Sequence, residues 1–217
     1  LRSKLKENDT NFEDLIPNIF DFFSFRGHNM IVFNCYSSNL YEAVIKKKKL
    51  ISLRKLKIII KDLTETLVYL KKYKIIHADI KPENILFRDE NSWNIVLIDY
   101  GLSIKDYDNQ SYSIQSMWYR APEIVFKIPY DFRIDLWSLG CVLYELYFGI
   151  PAFTGKKEID LITQINSKLG KPSDEYLEYI TTYLKNKESP IDFKKIYKKL
   201  EKYERITFNP VYNTNDD

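Results

Sequence analysis

IIHADIKPENILF, residues 75–87, sets one acid, one lysine and one asparagine at fixed intervals between two apolar flanks. The flanks read as a strand and a loop anchored in a core, so Asp79, Lys81 and Asn84 are held in place rather than left to move in solvent. Upstream, Leu56, Ile60, Leu63, Leu67 and Leu70 recur every three or four residues behind Ser52. That spacing predicts a long helix capped by Ser52, with one apolar face and a wet, Lys-rich one, and it delivers the chain to His77. Downstream, residues 85–87 and 95–98 are short apolar runs around a polar turn, the pattern of a hairpin. Residues 79–84 lie just before this hairpin and Asp99 just after it. The polar groups therefore emerge at the same end, close enough to share a ligand such as a metal ion.

Working further outward, FFSFRGHNMIVFN (residues 22–34) places apolar runs on either side of Arg26-Gly27-His28-Asn29, a second hairpin signal. Residues 1–6 read as a helix end. Residues 134–148 are apolar nearly all round, as in a helix buried within a helical domain. Residues 158–169 and 190–203 read as surface helices.

Composition bounds the partners. The 217 residues are 45% hydrophobic and 15% aromatic, enough to bury a core without disulfides. Lys and Arg total 33 against 30 acidic residues, a net charge of +3. This is too close to neutral for the extended basic field that a nucleic-acid or membrane partner requires. Cys35 and Cys141 both sit in apolar stretches, which predicts buried free thiols in a reducing, intracellular compartment, nucleus or cytoplasm. No apolar run approaches the roughly 20 residues needed to cross a bilayer, and no signal-peptide pattern opens the chain. The sequence starts at Leu1 without a methionine and already reads as the middle of something, so a fragment is expected.

His77-Ala78-Asp79-Ile80-Lys81-Pro82-Glu83-Asn84 resembles the catalytic loop of eukaryotic protein kinases. Asp99-Tyr100-Gly101 resembles their metal-binding triplet, with Tyr in place of the usual Phe. Ala121-Pro122-Glu123 resembles the end of the activation segment, and Asp135-Leu136-Trp137-Ser138-Leu139-Gly140 the buried helix that follows. Taken singly, Asp79 is a common turn residue, Lys81 a solvated one and Asp99 a hairpin end. Four motifs in family order carry the resemblance. It implies an α+β, protein-kinase-like fold. Residues 34–217 would form the helical C-terminal lobe, and residues 1–33 a remnant of the N-terminal lobe made of a helix end and two strands.

The resemblance also implies an activity, transfer of the ATP γ-phosphoryl group to Ser or Thr hydroxyls of a protein substrate, with ATP and Mg²⁺ as cofactors. Asp79 would orient the hydroxyl or accept its proton, and Lys81 would place positive charge by the phosphoryl group. Asn84 and Asp99 would give oxygen ligands to magnesium. Phe33 would be the gatekeeper of the adenine pocket, Asn34 and Tyr36 would offer backbone groups to adenine, and Leu86 would form the pocket's floor. His77 and Asp135 would brace the loop, and Glu123 would pair with Arg205.

YSIQSMWYRAPEIVF, IDLWSLGCVLYEL and FRGHNMIVFNCYSSNLYEAV resemble the dual-specificity tyrosine-regulated kinases and their neighbours, the homeodomain-interacting, splicing-factor and pre-mRNA-processing kinases. The departures are specific. Ala78 replaces the usual Arg between His and Asp, as is normal in that branch. Ser113 stands where the branch has its autophosphorylated tyrosine, with Tyr112 one residue early, and Met117 stands where the branch has an arginine. No Gly-x-Gly-x-x-Gly loop and no Val-Ala-x-Lys strand occurs. The chain by itself is therefore expected to be weakly active or inactive, with apolar surface exposed where further strands belong. Two other readings stand beside the enzyme: a truncated pseudokinase acting as a scaffold, and an adaptor built on the lysines at 46–49.

Overall fold

The computed structural model describes residues 15–106 and 113–186. The helix end expected at 1–6, the helix expected at 190–203, and Tyr112 and Arg205 lie outside them.

Strands β1 (Ile19–Phe25) and β2 (His28–Phe33) pair antiparallel, with Phe25 opposite His28. The turn is the two residues Arg26 and Gly27, at φ 49° and 78°. Two left-handed residues match the right-handed twist of the strands, and Gly27 adopts its angle without a Cβ penalty. The turn is thus tighter than the four residues expected, with His28 and Asn29 already in β2. Every residue of both strands is exposed, including Phe20 at 64% and Phe22 at 62%. This is the exposed apolar surface the sequence predicts. Lysine at both Phe20 and Phe22 is expected to shift the chain from aggregate towards monomer on size exclusion, because contiguous apolar patches of more than a few hundred Å² drive association.

Residues 34–38 run on from the hairpin and are tied to Phe87 by the Ser37 N–H and the Ser38 carbonyl. A π-helical turn (Tyr41–Ile45) follows, then α1 (Leu53–Lys72). The buried stripe of α1 is Leu56, Ile59, Leu63, Thr66, Leu67 and Leu70. Ile59 takes the place expected of Ile60, which packs only at the edge of the core, because Leu63, Thr66 and Leu70 set the midline of the stripe nearer to position 59 than to 60. Ile59 and Leu63 are wholly buried, each worth about 1.5–3 kcal/mol of transfer free energy. Ser52 is at the N-cap with extended backbone, but its side chain makes no capping bond.

Two further short ladders, two 3-10 turns (Pro82–Asn84 and Met117–Tyr119) and four further helices complete the described chain. β3 (Ile75–Ile76) pairs with β6 (Ile104–Lys105), and β4 (Ile85–Phe87) with β5 (Ile95–Leu97) as the sequence hairpin predicts. The helices are α2 (Pro122–Phe126), α3 (Arg133–Phe148), α4 (Glu158–Leu169) and α5 (Asp174–Asn186). One large core joins α1, the β4–β5 hairpin, α3 and α4. α3 is buried along one broad face, through Ile134, Asp135, Ser138, Leu139, Cys141, Val142, Glu145 and Leu146, while Leu136 is 47% exposed. The burial nearly all round that its composition suggests is not reached, because only one side meets the core. α4 differs from expectation: Leu161, Ile162, Ile165 and Asn166 are buried, so it is half inside the lobe. α5, not foreseen, anchors through Ile180 and Leu184. Cys141 is buried and free, as expected, but Cys35 is exposed. Its apolar neighbours Val32 and Phe33 end the exposed strand β2, where no core lies beneath them.

Among the described residues no helix is long and apolar enough to cross a membrane.

Candidate active site

The loop that matters leaves β3 and passes through the core. His77, Ala78 and Ile80 are buried, and Ala78 is held at φ 65°. A non-glycine residue in that region costs about 1–3 kcal/mol, which the surroundings must offset. Asp135 at the start of α3 does so. Its Oδ2 accepts the His77 amide N–H at 2.7 Å and its Oδ1 that of Ala78 at 3.0 Å. From the other side, the Gln115 N–H donates to the Ala78 carbonyl at 2.9 Å.

His77 is structural. The Asp79 N–H donates to Nδ1 at 3.2 Å, so the proton sits on Nε2, which donates to the Ile98 carbonyl at 3.0 Å. The ring packs edge-on against Tyr100, 4.8 Å between centroids. Burial holds the imidazole down at about 4, and the same burial pushes Asp135 up to about 7 despite its two backbone donors.

Those shifts have opposite signs in a pH titration of stability. For His77 the folded value lies below the unfolded one, so the unfolded chain binds the proton first and stability falls as pH drops from about 6.5 to about 4. For Asp135 the folded value lies above the unfolded one, so its contribution is full below about 4 and is lost as pH rises through about 7. The two slopes, each at most about 1.4 kcal/mol per pH unit, oppose one another over most of this window. His77→Asn is expected to unmask the Asp135 slope: chemical denaturation at about pH 4.5 and 6.5 should show the variant losing stability with rising pH where the parent stays nearly level.

Asp79 is 5% exposed and receives three donors. Ser116 Oγ donates to Oδ1 at 2.8 Å, and Lys81 Nζ and Asn84 Nδ2 donate to Oδ2 at 2.7 and 3.0 Å. Lys81 also reaches Ser116 Oγ at 3.2 Å. Asn84 Nδ2 is fixed a second time by the Asp79 carbonyl at 2.9 Å. Its Oδ1 takes no hydrogen bond from any described residue. The Ile98 N–H donates to the Asn84 carbonyl at 2.9 Å, extending the β4–β5 ladder by one step and setting Asp99 beside Asn84. Asp99 is exposed, at φ 62°, with Oδ1 accepting the Gly101 N–H at 3.2 Å. A Cβ on Gly101 would stand 3.1 Å from that same Oδ1, so a side chain there would push against the carboxylate.

Sequence reasoning passed over Ser116 as a member of this cluster. The signal was its place two residues past Ile114 in a stretch already matched to the family, but only the fold brings it to Asp79. The positive φ of Gln115, 62°, turns the chain there. Gln115 is locked by Nε2 donating to the Ile134 carbonyl and Ser138 Oγ, and by Oε1 accepting the Ala121 N–H, each at 2.9 Å. Arg120 caps the Gln115 carbonyl at 2.8 Å and also pairs with Glu158 of α4 at 3.3 Å. Tyr119 donates to buried Glu145 at 2.6 Å.

The four residues read as an adenine pocket fall into two groups. Tyr36 and Leu86 come together, because the Ser37 N–H donates to the Phe87 carbonyl at 2.9 Å, the Phe87 N–H to the Ser38 carbonyl at 3.0 Å, and Asn39 bridges Leu86. Phe33 stays on the exposed hairpin at 46% exposure. The Asn34 N–H is engaged at the hairpin base, donating to the Asn18 carbonyl at 3.2 Å.

Strands at one end, a braced acidic loop and an acid one step beyond a paired strand define the class. The protein kinase domain model matches residues 8–215, and the chain belongs to that family. Among curated relatives, it is 40% identical over 156 residues to the dual specificity protein kinase YAK1 of Saccharomyces cerevisiae, covering 71% of this chain and 19% of that protein. It is 36% identical over 178 residues to the probable serine/threonine-protein kinase dyrk2 of Dictyostelium discoideum, covering 82% and 20%. It is 37% identical over 180 residues to human dual specificity tyrosine-phosphorylation-regulated kinase 4, covering 82% and 34%. The chain thus spans about a fifth to a third of the length of these relatives. They belong to the branch that the activation-segment sequence resembles.

Proposed function

We propose that this chain is the catalytic part of a protein serine/threonine kinase of the dual-specificity branch, transferring the ATP γ-phosphoryl group to hydroxyls of an intracellular protein. The observation that carries this reading is Asp79. A carboxylate offers about four lone-pair sites, and three are occupied by Ser116, Lys81 and Asn84. The remaining site is free to take a substrate hydroxyl and its proton, in a group already held still by its neighbours. Lys81 holds an ammonium charge beside that position. Ser116 positions both.

Magnesium and ATP fit the residues present. Asn84 Oδ1 and the Asp99 carboxylate are hard oxygen donors at the same end of one ladder, where the Ile98 N–H donates to the Asn84 carbonyl. One amide and one carboxylate suit a cation that keeps its waters and leans on phosphate oxygens. Bound there, Mg²⁺–ATP would supply the phosphoryl group and neutralise charge on it. Asn84 and Asp99 would hold the metal, while Phe33, the Asn34 carbonyl, the Tyr36 backbone and Leu86 would surround the base. On this reading residues 1–33 belong to the N-terminal lobe and residues 34–217 to the C-terminal lobe, so the wet hairpin is the place where further strands of the longer protein would add.

The full-length gene product, incubated with Mg²⁺, γ-labelled ATP and a Ser/Thr peptide library, should incorporate label. Nucleotide binding without transfer would favour the scaffold reading instead. Ser116→Ala is expected to lower kcat roughly tenfold while leaving the KM for ATP nearly unchanged, since it removes an orienting donor and no nucleotide contact.

A further inference from the structure

A cleft of about 760 Å³ lies away from Asp79, between residues 36–55 and the β4–β5 turn. Its charges are unevenly committed. Of its two acids, Asp89 is folded into its own turn, Oδ1 accepting the Asn91 N–H at 2.8 Å and Oδ2 the Ser92 hydroxyl at 2.7 Å. These bonds keep its carboxyl below the ordinary range. Glu90 is the other. Against them stand Lys47, Lys49 and Lys55, none with an ion-pair partner among the described residues. The contrast is with Lys46, which pairs with Glu42 at 2.8 Å.

Two of these lysines share an aromatic in place of a carboxylate. The ammonium of Lys55 lies 4.7 Å and that of Lys49 5.9 Å from the centroid of the Trp93 ring. Trp93 is itself fixed, packed edge-on against buried Phe87 with centroids 5.3 Å apart. A cation over a ring face keeps its charge available to a ligand and gives it a preferred position. The volume is in the range that takes a small ligand or a few residues. Phe87 is in β4, which begins next to Asn84, so cleft and catalytic loop are built on one strand.

We propose that this cleft docks an acidic segment of the protein substrate, its carboxylates taken by Lys47, Lys49 and Lys55 and an apolar side chain laid on Trp93. The proposal rests on the protein-kinase reading for the identity of the partner. Docking on the β4 framework would raise the local concentration of the phosphoacceptor at Asp79 without touching the reaction itself.

The test uses the full-length protein and a fluorescent octapeptide of alternating glutamate and leucine, with a lysine–leucine octapeptide as control, read by anisotropy at low and physiological salt. The acidic peptide should bind, weaken with salt, and lose affinity roughly tenfold or more in a Lys49→Glu/Lys55→Glu variant. Lys47→Glu should give a smaller loss of the same sign, and Asp79→Asn none. In kinase assays the double variant should raise the KM of a substrate carrying an acidic tail and leave that of a short neutral peptide unchanged. Equal affinity for the two octapeptides, or an unchanged acidic-peptide affinity in the double variant, would overturn the proposal. So would an RNA oligonucleotide that binds the cleft more tightly than the peptide and displaces it. Acidic-peptide binding in a protein with no transferase activity would sink the kinase reading and leave the docking site standing, whereas activity without binding would do the reverse.

Discussion

Asparagine in place of Asp79 is expected to lower phosphoryl transfer by about three orders of magnitude, within the 10²–10⁴ range for loss of a positioned general base. The substitution is nearly isosteric, but it changes the donor–acceptor count. Asp79 receives Ser116 on one oxygen and Lys81 with Asn84 on the other. An amide keeps one acceptor oxygen and gains two N–H donors. With its oxygen turned to Lys81 and Asn84 its N–H₂ meets Ser116, whose hydroxyl can rotate to accept, so the cluster stays satisfied but no basic oxygen is left for a substrate proton. Ile80 and Ala78 are buried regardless of that group, so the fold should survive. Steady-state kinetics on the full-length protein, with nucleotide affinity measured separately, reads the effect. A variant that kept more than about a tenth of the parent kcat would remove Asp79 from the chemistry.

Alanine in place of Asp135 is expected to be the most damaging change to stability, about 3–5 kcal/mol. Asp135 is 2% exposed, and its carboxyl is the partner of the His77 and Ala78 amides. Its removal leaves two buried N–H groups without an acceptor, each costing about 1–3 kcal/mol, and releases the left-handed residue they hold. A domain of this size is stable by only about 5–15 kcal/mol, so the loss is a large part of the whole. Urea denaturation should show the midpoint falling steeply. Asp135→Asn should be intermediate, because its amide retains one acceptor oxygen for two donors. If alanine cost less than about 1 kcal/mol, the brace would be replaceable by water and the strain at Ala78 would be small.

Much of the fold was legible because it is written in short-range patterns. The three-and-four spacing in 56–70 gave α1, and the all-round apolar run at 134–148 gave α3. The apolar pairs flanking Arg26-Gly27, and those at 85–87 and 95–98, gave both hairpins. Errors came where burial depends on what else is nearby. Cys35 has apolar neighbours in sequence but no core beneath it, and α4 reads as a surface helix until the lobe packs on it. α5 escaped because two buried residues in thirteen make a weak stripe.

For the site, the sequence by itself determined the chemical inventory: an acid at 79, a cation at 81, and two oxygen-bearing side chains at 84 and 99, in the order and spacing of the protein kinase domain. Residue types and short spacings are local properties, so a linear string can carry them. The tertiary structure alone decided how they are held. Asp135 arrives from 58 positions away to His77, a brace that the family resemblance implied but whose bonds only the fold makes, and Ser116 arrives unannounced from 37 positions away to Asp79. Neither pairing has a local signal, because the bonds exist only after α3 has packed against α1 and closed the long loop between them. The same is true of the cleft at Trp93, where lysines that look like ordinary solvated charge in the string become a set without ion-pair partners among the described residues. Electrostatic function there follows from which carboxylates the fold brings near and which it spends elsewhere.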